Sequence, residues 1–557
     1  MKIVLASFGG IVPRYSDHNL SNIGATIAHD VKLRNGRIEA WRELCKFADV
    51  SPTARSFHLH GCCLATWDEI VHAAEVAPDW GRFYITGRRP YLEYVEESCE
   101  CAMTTHRAGV PTPMQPPVAA ATEECSRIAD ARSYVYTYIN KYFEESAPSP
   151  ASNVVRVNDG SRVVVSGIAL PPNDYDDVIG ARIYRATTGV IRADGKEQKT
   201  QTEFLYVGSV DFPTTTFVDT IKGVGLGEAL ETHKVRPAPE GLRNIVAIEG
   251  VVRLAGTTGN QVHMTENFQL HNWPAKYDLT LDSQIVHMGA LDQRLFVTTD
   301  TVPYVIDVSS CEDLKCSPVM DIQQPLPDIS CGHASSAIIT PHGFVYSSRV
   351  GLILIDPKAQ WYVLTARWFS EDDWAQVRPE TVRLGYWEGF LFIVTDTVTF
   401  LLNINGDPYG DMKGAELVTL SDCPVDLHQT STGAMMLMQD GAVWVWNSGD
   451  KLREYLWVSR ELPGNHSAGY NDGLPDRDMP LGSMWSPVSA KVRTQETTFT
   501  LHHPLRNDVF SRVVLDERPF RLPRVGRHMW YKVQFSGVRP VEYAELGTAH
   551  MTVNQGA

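Results

Sequence analysis

The feature that most constrains this chain is a repeat. From Val286 it reads VHMGALDQRLFVTTDTVPYVID, two short β-type runs separated by a polar turn and followed by a third run. Similar units start at Val246 (VAIEGVVRLAGTTGNQVHMTE), Ala337 (AIITPHGFVYSSRVGLILID), Val382 (VRLGYWEGFLFIVTDTVTFLLN) and Val425 (VDLHQTSTGAMMLMQDGAVWVWN). The five starts are spaced by 40, 51, 45 and 43 residues. A β-hairpin unit recurring at roughly 40 to 50 residues is the period of propeller blades. The copies share a pattern rather than words, which predicts a diverged propeller and not a WD or kelch array.

Residues 56–95 have the same strand–turn–strand content and supply a sixth blade. The chain of 557 residues is too long for one core. Val, Thr, Tyr and Gly-bearing turns abound while long helical periodicity is scarce, so the fold class is mainly β: a six-bladed irregular β-propeller with additions. One addition interrupts the propeller. Residues 133–140 alternate with Tyr134, Tyr136 and Tyr138 on one face, as in a half-buried strand, and 144–152 (EESAPSPAS) reads as a Pro/Ser turn region. Strands follow at 154–157, 162–166, 180–185, 203–209 and 216–219, the spacing of a β-sandwich of about 100 residues. Their order is similar to a fibronectin type III-like module. The predicted organisation is a platform segment at 1–52, the first blade and a Thr/Pro/Ala linker at 53–125, the inserted sandwich at 126–239, the remaining blades at 240–480, and a C-terminal β domain at 481–557.

Bulk properties narrow the partners. The net charge of −16, from 66 acidic against 50 basic side chains, argues against a surface that grips DNA or anionic lipid. It leaves room for a protein that DNA passes without sticking. No run approaches ~18 apolar residues, so no membrane insertion is expected. The N-terminus MKIVLASFGGIVPR has too short an apolar run for an export signal. Ten scattered cysteines without such a signal predict a reducing compartment and free thiols rather than structural disulfides.

Within the first 50 residues, Asn35-Gly36 is a hairpin signal between 31–33 and 37–41, and 20–30 (LSNIGATIAHD) is expected to form a short helix with Ala25, Ile27 and Ala28 inside. The stretch GGIVPRYSDHNLSNIGATIAHDVKLRNGRIEAW resembles the N-terminus of the tail nozzle (tail tubular protein B-like) proteins of short-tailed bacteriophages. The matching residues are Gly10, Pro13, Arg14, Leu20, Ala25, Ala28, Leu33, Gly36 and Ile38. Residues 63–67 with 81–87 look like that family's first blade. RWFSEDDWAQVR before Pro379 resembles the family as well, with Ser370 able to cap a helix whose first turn holds Glu371, Asp372 and Asp373. YLWVSRELP from Tyr455 is similar to its Trp-x-Ser-Lys/Arg exit motif. FRLP from Phe520, with Trp530 and 535–537, looks like its closing β domain. The resemblance implies a structural virion protein of a short tail. Six copies would form a ring below portal and adaptor, close the conduit before infection, carry tail fibres or spikes outside, and pass double-stranded DNA without specific binding. Assembly would take place in the host cytoplasm.

Several motifs invite chemistry. His58, His60 and Cys62 alternate along an expected strand and would share one face, a possible zinc set, against the plainer reading of blade packing. Cys99-x-Cys101 is weaker. Gly195-Lys196 lacks a phosphate loop's register, with Gly189 one residue too far back and Glu197 in place of the hydroxyl, so an Asp194-Gly195 hairpin is expected. Gly223, Gly225 and Gly227 read as linker. The loop 403–411 (NINGDPYGD) has oxygen ligands for calcium, yet Asn405-Gly406 is the better hairpin signal. Trp361, Trp368, Trp374, Trp387, Trp444, Trp446 and Trp457 could line a sugar platform but are expected mostly between blades. No Gly-x-Ser-x-Gly or His-Glu-x-x-His occurs. The expectation is therefore a non-enzymatic protein with no catalytic, cofactor or metal residues assigned. The alternatives are a propeller enzyme degrading polysaccharide, which needs a carboxylate pair in a pocket, and a propeller adhesin or scaffold.

Overall fold

The computed structural model describes residues 2–76, 80–97, 101–122, 130–188, 203–309, 314–319, 322, 336–404, 415–463 and 484–548. Six four-stranded blades stand in a ring. Blade one is His72–Ala74, Arg82–Thr86, Glu93–Glu97 and Met103–Arg107. Blades two to five open with inner strands Arg243–Ile248, Ile285–Leu291, Ala337–Thr340 and Arg383–Trp387, and blade six with Asp426–Gln429. The repeat therefore starts within three residues of the predicted position in all five later blades.

The blades' middle strands read as continuous apolar runs because each is covered on both faces. Along Gly351–Ile355 of blade four, Leu352 and Leu354 join the core shared with blade five, with Leu391 and Ile393. The intervening Ile353 and Ile355 join Phe296 and Val305 of blade three. Successive side chains point to opposite faces of a strand, so one run feeds two inter-blade cores.

Ring closure departs from expectation. Ser56–His60 and Cys63–Trp67 form a separate two-stranded hairpin, not the inner part of blade one. It lies between blades six and one, with Phe57 packing on Met436 and Met438, and Ala65 on Phe83 and Val95. Blade six takes its fourth strand, Cys45–Asp49, from the N-terminal segment expected in the platform. Met103–Arg107, inside the expected linker, is blade one's outer strand.

The insertion is a seven-stranded sandwich that starts at Val118 rather than 126. Val118–Ala121, Val163–Ser166 and Phe217–Asp219 form one sheet; Val155–Val157, Asp130–Asn140, Val178–Thr188 and Leu205–Asp211 form the other. Tyr134, Tyr136 and Tyr138 face the core as expected, but the opposite face of that strand is also covered, burying Val135, Thr137 and Ile139. The supposed turn region beside it is an edge rail. Ser146, Ser149 and Ser152 hydroxyls accept from the backbone N–H groups of Tyr138, Tyr136 and Tyr134, and their own N–H groups donate back to the same residues' carbonyls. The sandwich docks on blade one through Arg82–Glu144 (2.8 Å), Tyr142–Glu96 (2.8 Å), Tyr94–Asp177 (3.2 Å) and His106–Asp176 (2.8 Å).

The two ends of the chain build the platform. Lys2–Leu5 pairs with Tyr543–Gly547, which pairs with Ser489–Arg493. A ten-stranded sheet continues blade five outward through Ala25–His29, Tyr455–Ser459, Trp530–Gly537, Thr497–His503 and Arg506–Val514. Ala25–His29 is thus a strand, not the expected helix. It pairs antiparallel with Tyr455–Ser459 and, at His29↔Thr419, parallel with blade five's last strand. Partners some 400 residues away decide its conformation over any local helical preference.

Candidate functional site

Among the described residues, polar side chains with structural roles cluster at the blade closure and at the seam between platform and propeller, besides the sandwich dock. At the closure, His58 and His60 alternate on one face of their strand, as predicted. Both address a single oxygen: Glu75 Oε1 lies 2.7 Å from His58 Nε2 and 2.9 Å from His60 Nδ1. Burial pushes the Glu75 carboxyl up, but hydrogen bonds from the two imidazoles outweigh it and bring its pKa down to about 2. The other nitrogen of His60 is 3.8 Å from Glu97 Oε2, and Glu97 Oε1 lies 3.0 Å from Cys63 Sγ. His58 also packs against Phe83 of blade one and His428 of blade six, each 4.7 Å between ring centroids. The histidines therefore clasp a carboxylate across the hairpin–blade joint.

Cys62 does not share their face. The strand ends at His60 and turns at Gly61, whose φ is +58°, which leaves Cys62 exposed with its Sγ 3.7 Å from that of Cys63. Cys63 in turn is disulfide-bonded to Cys101, contrary to the expectation of free thiols. Lodging the hairpin against blade one brings these two Cα atoms to 5.1 Å, within the span a disulfide bridges. Cys99 lies outside the described residues.

At the seam, the residues of the N-terminal motif hold that segment in place. Ile11 N–H donates to Leu417 O at 2.9 Å, and Gly10 O accepts from Ala25 N–H at 3.0 Å. A methyl group on Gly10 would meet the Leu417 carbonyl oxygen at 2.2 Å, so only glycine fits. Arg14 donates from its backbone to Trp368 O and from its guanidinium to Ala366 O, both at 2.8 Å. Leu20, Ala25, Ala28, Leu33 and Ile38 are buried. Gly36 and Asn35 take left-handed φ values of 72° and 56°, the two-residue turn that their dipeptide predicts. The exit motif grips the same segment: Trp457 Nε1–H donates to Gly9 O at 3.0 Å, Arg460 N–H to Gly24 O at 3.1 Å, and the Arg460 guanidinium to Leu20 O. Ser459 Oγ accepts from Val533 N–H of the C-terminal domain at 3.0 Å.

Beside this seam the Asn35-Gly36 turn, Arg37, Lys491, Arg493, Glu517 and Glu542 line an open cleft of about 430 Å³. Four of its charges are mutually paired, Arg493 to Glu517 and Glu542 at 3.1 Å each and Arg37 to Glu542 at 3.4 Å.

The remaining candidates resolve simply. Trp368, Trp374, Trp446 and Trp457 are buried. Ser370 caps the helix Glu371–Gln376 in a capping box with Asp373, which accounts for that carboxylate as predicted. The segment Gly223–Gly225 is a single 3-10 turn with no strand-to-helix context. Gly189, Asp194, Gly195, Lys196 and Glu197, and all of 405–414, lie outside the described residues. Sequence reading overlooked Glu75 and Glu97, whose proximity depends wholly on how the hairpin lodges. It also overlooked a hydroxyl turn inside the blades. Thr299 Oγ1 donates to Val302 O at 2.7 Å and accepts from Val302 N–H at 3.0 Å. Thr395 repeats this with Val398 at 2.9 and 3.1 Å. The shared word Thr-Asp-Thr-Val at 299–302 and 395–398 was the signal for it.

No protein-family model matches the chain, and no curated protein matches it in sequence. Among solved structures it is similar to Sqt1 of Saccharomyces cerevisiae, at 10% identity over 79% of this chain and 98% of that one, with a TM-score of 0.28. It is likewise similar to the Cps50 (Swd1) β-propeller domain of Myceliophteria thermophila, at 11% identity over 49% of this chain and 82% of that one, with a TM-score of 0.26. AztD from Citrobacter koseri matches at 11% identity over 54% of this chain and 97% of that one, with a TM-score of 0.22. These likenesses concern fold alone, and the mainly-β propeller of this chain stands on its own strand order.

Proposed function

We propose that this chain is a structural component of a short phage tail: the nozzle subunit that extends the DNA conduit, with six copies forming its wall below an adaptor. One observation carries the reading. The N-terminal motif and the Trp-x-Ser-Arg exit motif, which separately resemble that family, bind each other through Trp457–Gly9 and Arg460–Gly24. Motif residues that bind one another form one piece of architecture, whereas propellers as such serve many unrelated functions. In this role the platform and its ion-paired cleft meet neighbouring subunits and adaptor, tail fibres or spikes engage the outer surface, and DNA passes without specific contacts. An excess of acidic side chains suits passage, because it avoids the phosphate neutralisation that would hold DNA.

The test is co-expression with a short-tail adaptor protein, followed by electron-microscope class averages of the purified assembly. The expected result is a six-fold ring. Particles of any other symmetry, or no association with the adaptor, overturn the reading.

A further inference from the structure

We infer that Cys62, Cys63, Cys101 and Glu97 form a thiolate-rich site for a zinc-class divalent cation, which becomes available when the Cys63–Cys101 disulfide is reduced. The three sulfurs and a Glu97 carboxylate oxygen all lie within 4.8 Å of one another. Cys62 Sγ is 3.7 Å from Cys63 Sγ, close to the ~3.8 Å edge of a tetrahedron with Zn–S bonds of about 2.3 Å. Glu97 Oε1, 3.0 Å from Cys63 Sγ, supplies a hard fourth ligand.

The surroundings match a metal centre rather than a chance gathering of thiols. Behind Glu97 stands His60, with Nε2 3.8 Å from Glu97 Oε2 and Nδ1 2.9 Å from Glu75 Oε1. His60, fixed by Glu75, thus stands at ion-pair distance behind the Glu97 carboxylate, where an outer group can support a metal ligand electrostatically. Two ligands come from the hairpin tip and two from blade one, so a bound cation would tie the same joint that the disulfide ties. Three soft thiolates and four-coordinate geometry select zinc-class ions over magnesium or calcium.

The chemistry balances with a dithiol reductant. It passes two electrons and two protons to the Cys63–Cys101 bond, yielding two thiols, and is itself oxidised to a disulfide. The cation then displaces three thiol protons into water and takes up three thiolates and the Glu97 carboxylate. The joint is held by a covalent bond under oxidising conditions and by metal coordination under reducing ones.

The experiment is an anaerobic titration of the full-length chain with cobalt(II), with and without prior reduction by a non-chelating phosphine. After reduction, one cobalt per chain should bind with thiolate charge-transfer absorption and the intense visible bands of a tetrahedral site, and zinc should displace it. The oxidised chain should show no such bands. Cys62→Ser removes only an exposed thiol and leaves the disulfide intact, so folding does not confound it; it should weaken binding more than about 100-fold, beyond the loss of a supporting group alone. His60→Gln should weaken binding by about 10- to 100-fold, while Cys45→Ser and Cys316→Ser, on other blades, leave it unchanged. Absence of thiolate bands in the reduced chain, or parental affinity in Cys62→Ser, overturns the proposal.

Discussion

Asp426 offers the sharpest probe of how the ring is closed. It opens blade six's inner strand and is buried, yet carries a carboxyl group. Oδ2 accepts from Phe57 N–H of the closing hairpin at 3.1 Å, and Oδ1 accepts from Leu427 N–H at 2.9 Å. Burial raises its pKa from 3.8 to about 7, against the two N–H groups and the Arg383 charge, which lower it. A folded-state pKa above the unfolded one means that the fold retains a proton the unfolded chain releases. The contribution is therefore present in full below pH 3.8 and is lost as pH rises through about 7. A shift of about three units corresponds to about 4 kcal/mol. Asp426→Asn cannot titrate and leaves one of the two N–H groups facing an amide nitrogen, so it should destabilise at every pH. The gap between parent and variant should narrow by about 4 kcal/mol from pH 4 to pH 8. Taking the difference removes the opposing slope of His428, which burial and the nearby His58 push down to about 3 in both proteins. Urea unfolding followed by tryptophan fluorescence reads this directly, because none of the thirteen tryptophans lies in the sandwich region 118–219. A gap that does not change with pH would refute the reasoning and mean that Asp426 is ionised in the fold.

Gly10→Ala should break the seam, since its methyl carbon meets backbone atoms of Leu417 at 2.2 and 2.8 Å that no rotamer can vacate. A cost above about 3 kcal/mol would appear as rapid protease cleavage within residues 1–24, whereas parental resistance would count against the seam. Thr395→Val preserves shape but strips a fully buried hydroxyl from the turn, leaving the half-buried Val398 N–H without its acceptor. It should lower stability by about 1–3 kcal/mol, measured as a shift of the urea midpoint. Glu75→Gln removes a carboxylate held well below its usual range by His58 and His60. The parent's contribution is present above pH 4.5 and lost as pH falls toward 2, so the variant's deficit in urea unfolding should shrink on acidification across that window and stay constant above it.

What the sequence discloses and what it hides divide by the range of the interaction. The five later blades are legible because each carries its own apolar runs and turn residues within about 45 residues. The Asn35-Gly36 turn and the Ser370 cap are legible for the same reason: the dihedral or hydrogen bond they need is met within four residues. The Ser146–Ser149–Ser152 rail hides because its period of three answers the strand's period of two, and neither pattern alone announces the other. Everything concerning closure hides as well. The fourth strand of blade six, the inserted hairpin, the Cys63–Cys101 bridge and the strand Ala25–His29 all depend on partners that sequence spacing does not reveal. These closing elements share one origin, since the hairpin, the Cys45–Asp49 strand and the seam motif all lie in the first 67 residues. Cys45–Asp49 pairs with Ala442–Val445, so the ring cannot close until nearly the whole propeller exists. Contacts of such high sequence separation carry the loop-closure entropy of everything between them and form late. This makes the closure the step most exposed to failure, and accounts for its reinforcement by a buried aspartate, a carboxylate clasped by two histidines and a cysteine cluster at a single joint.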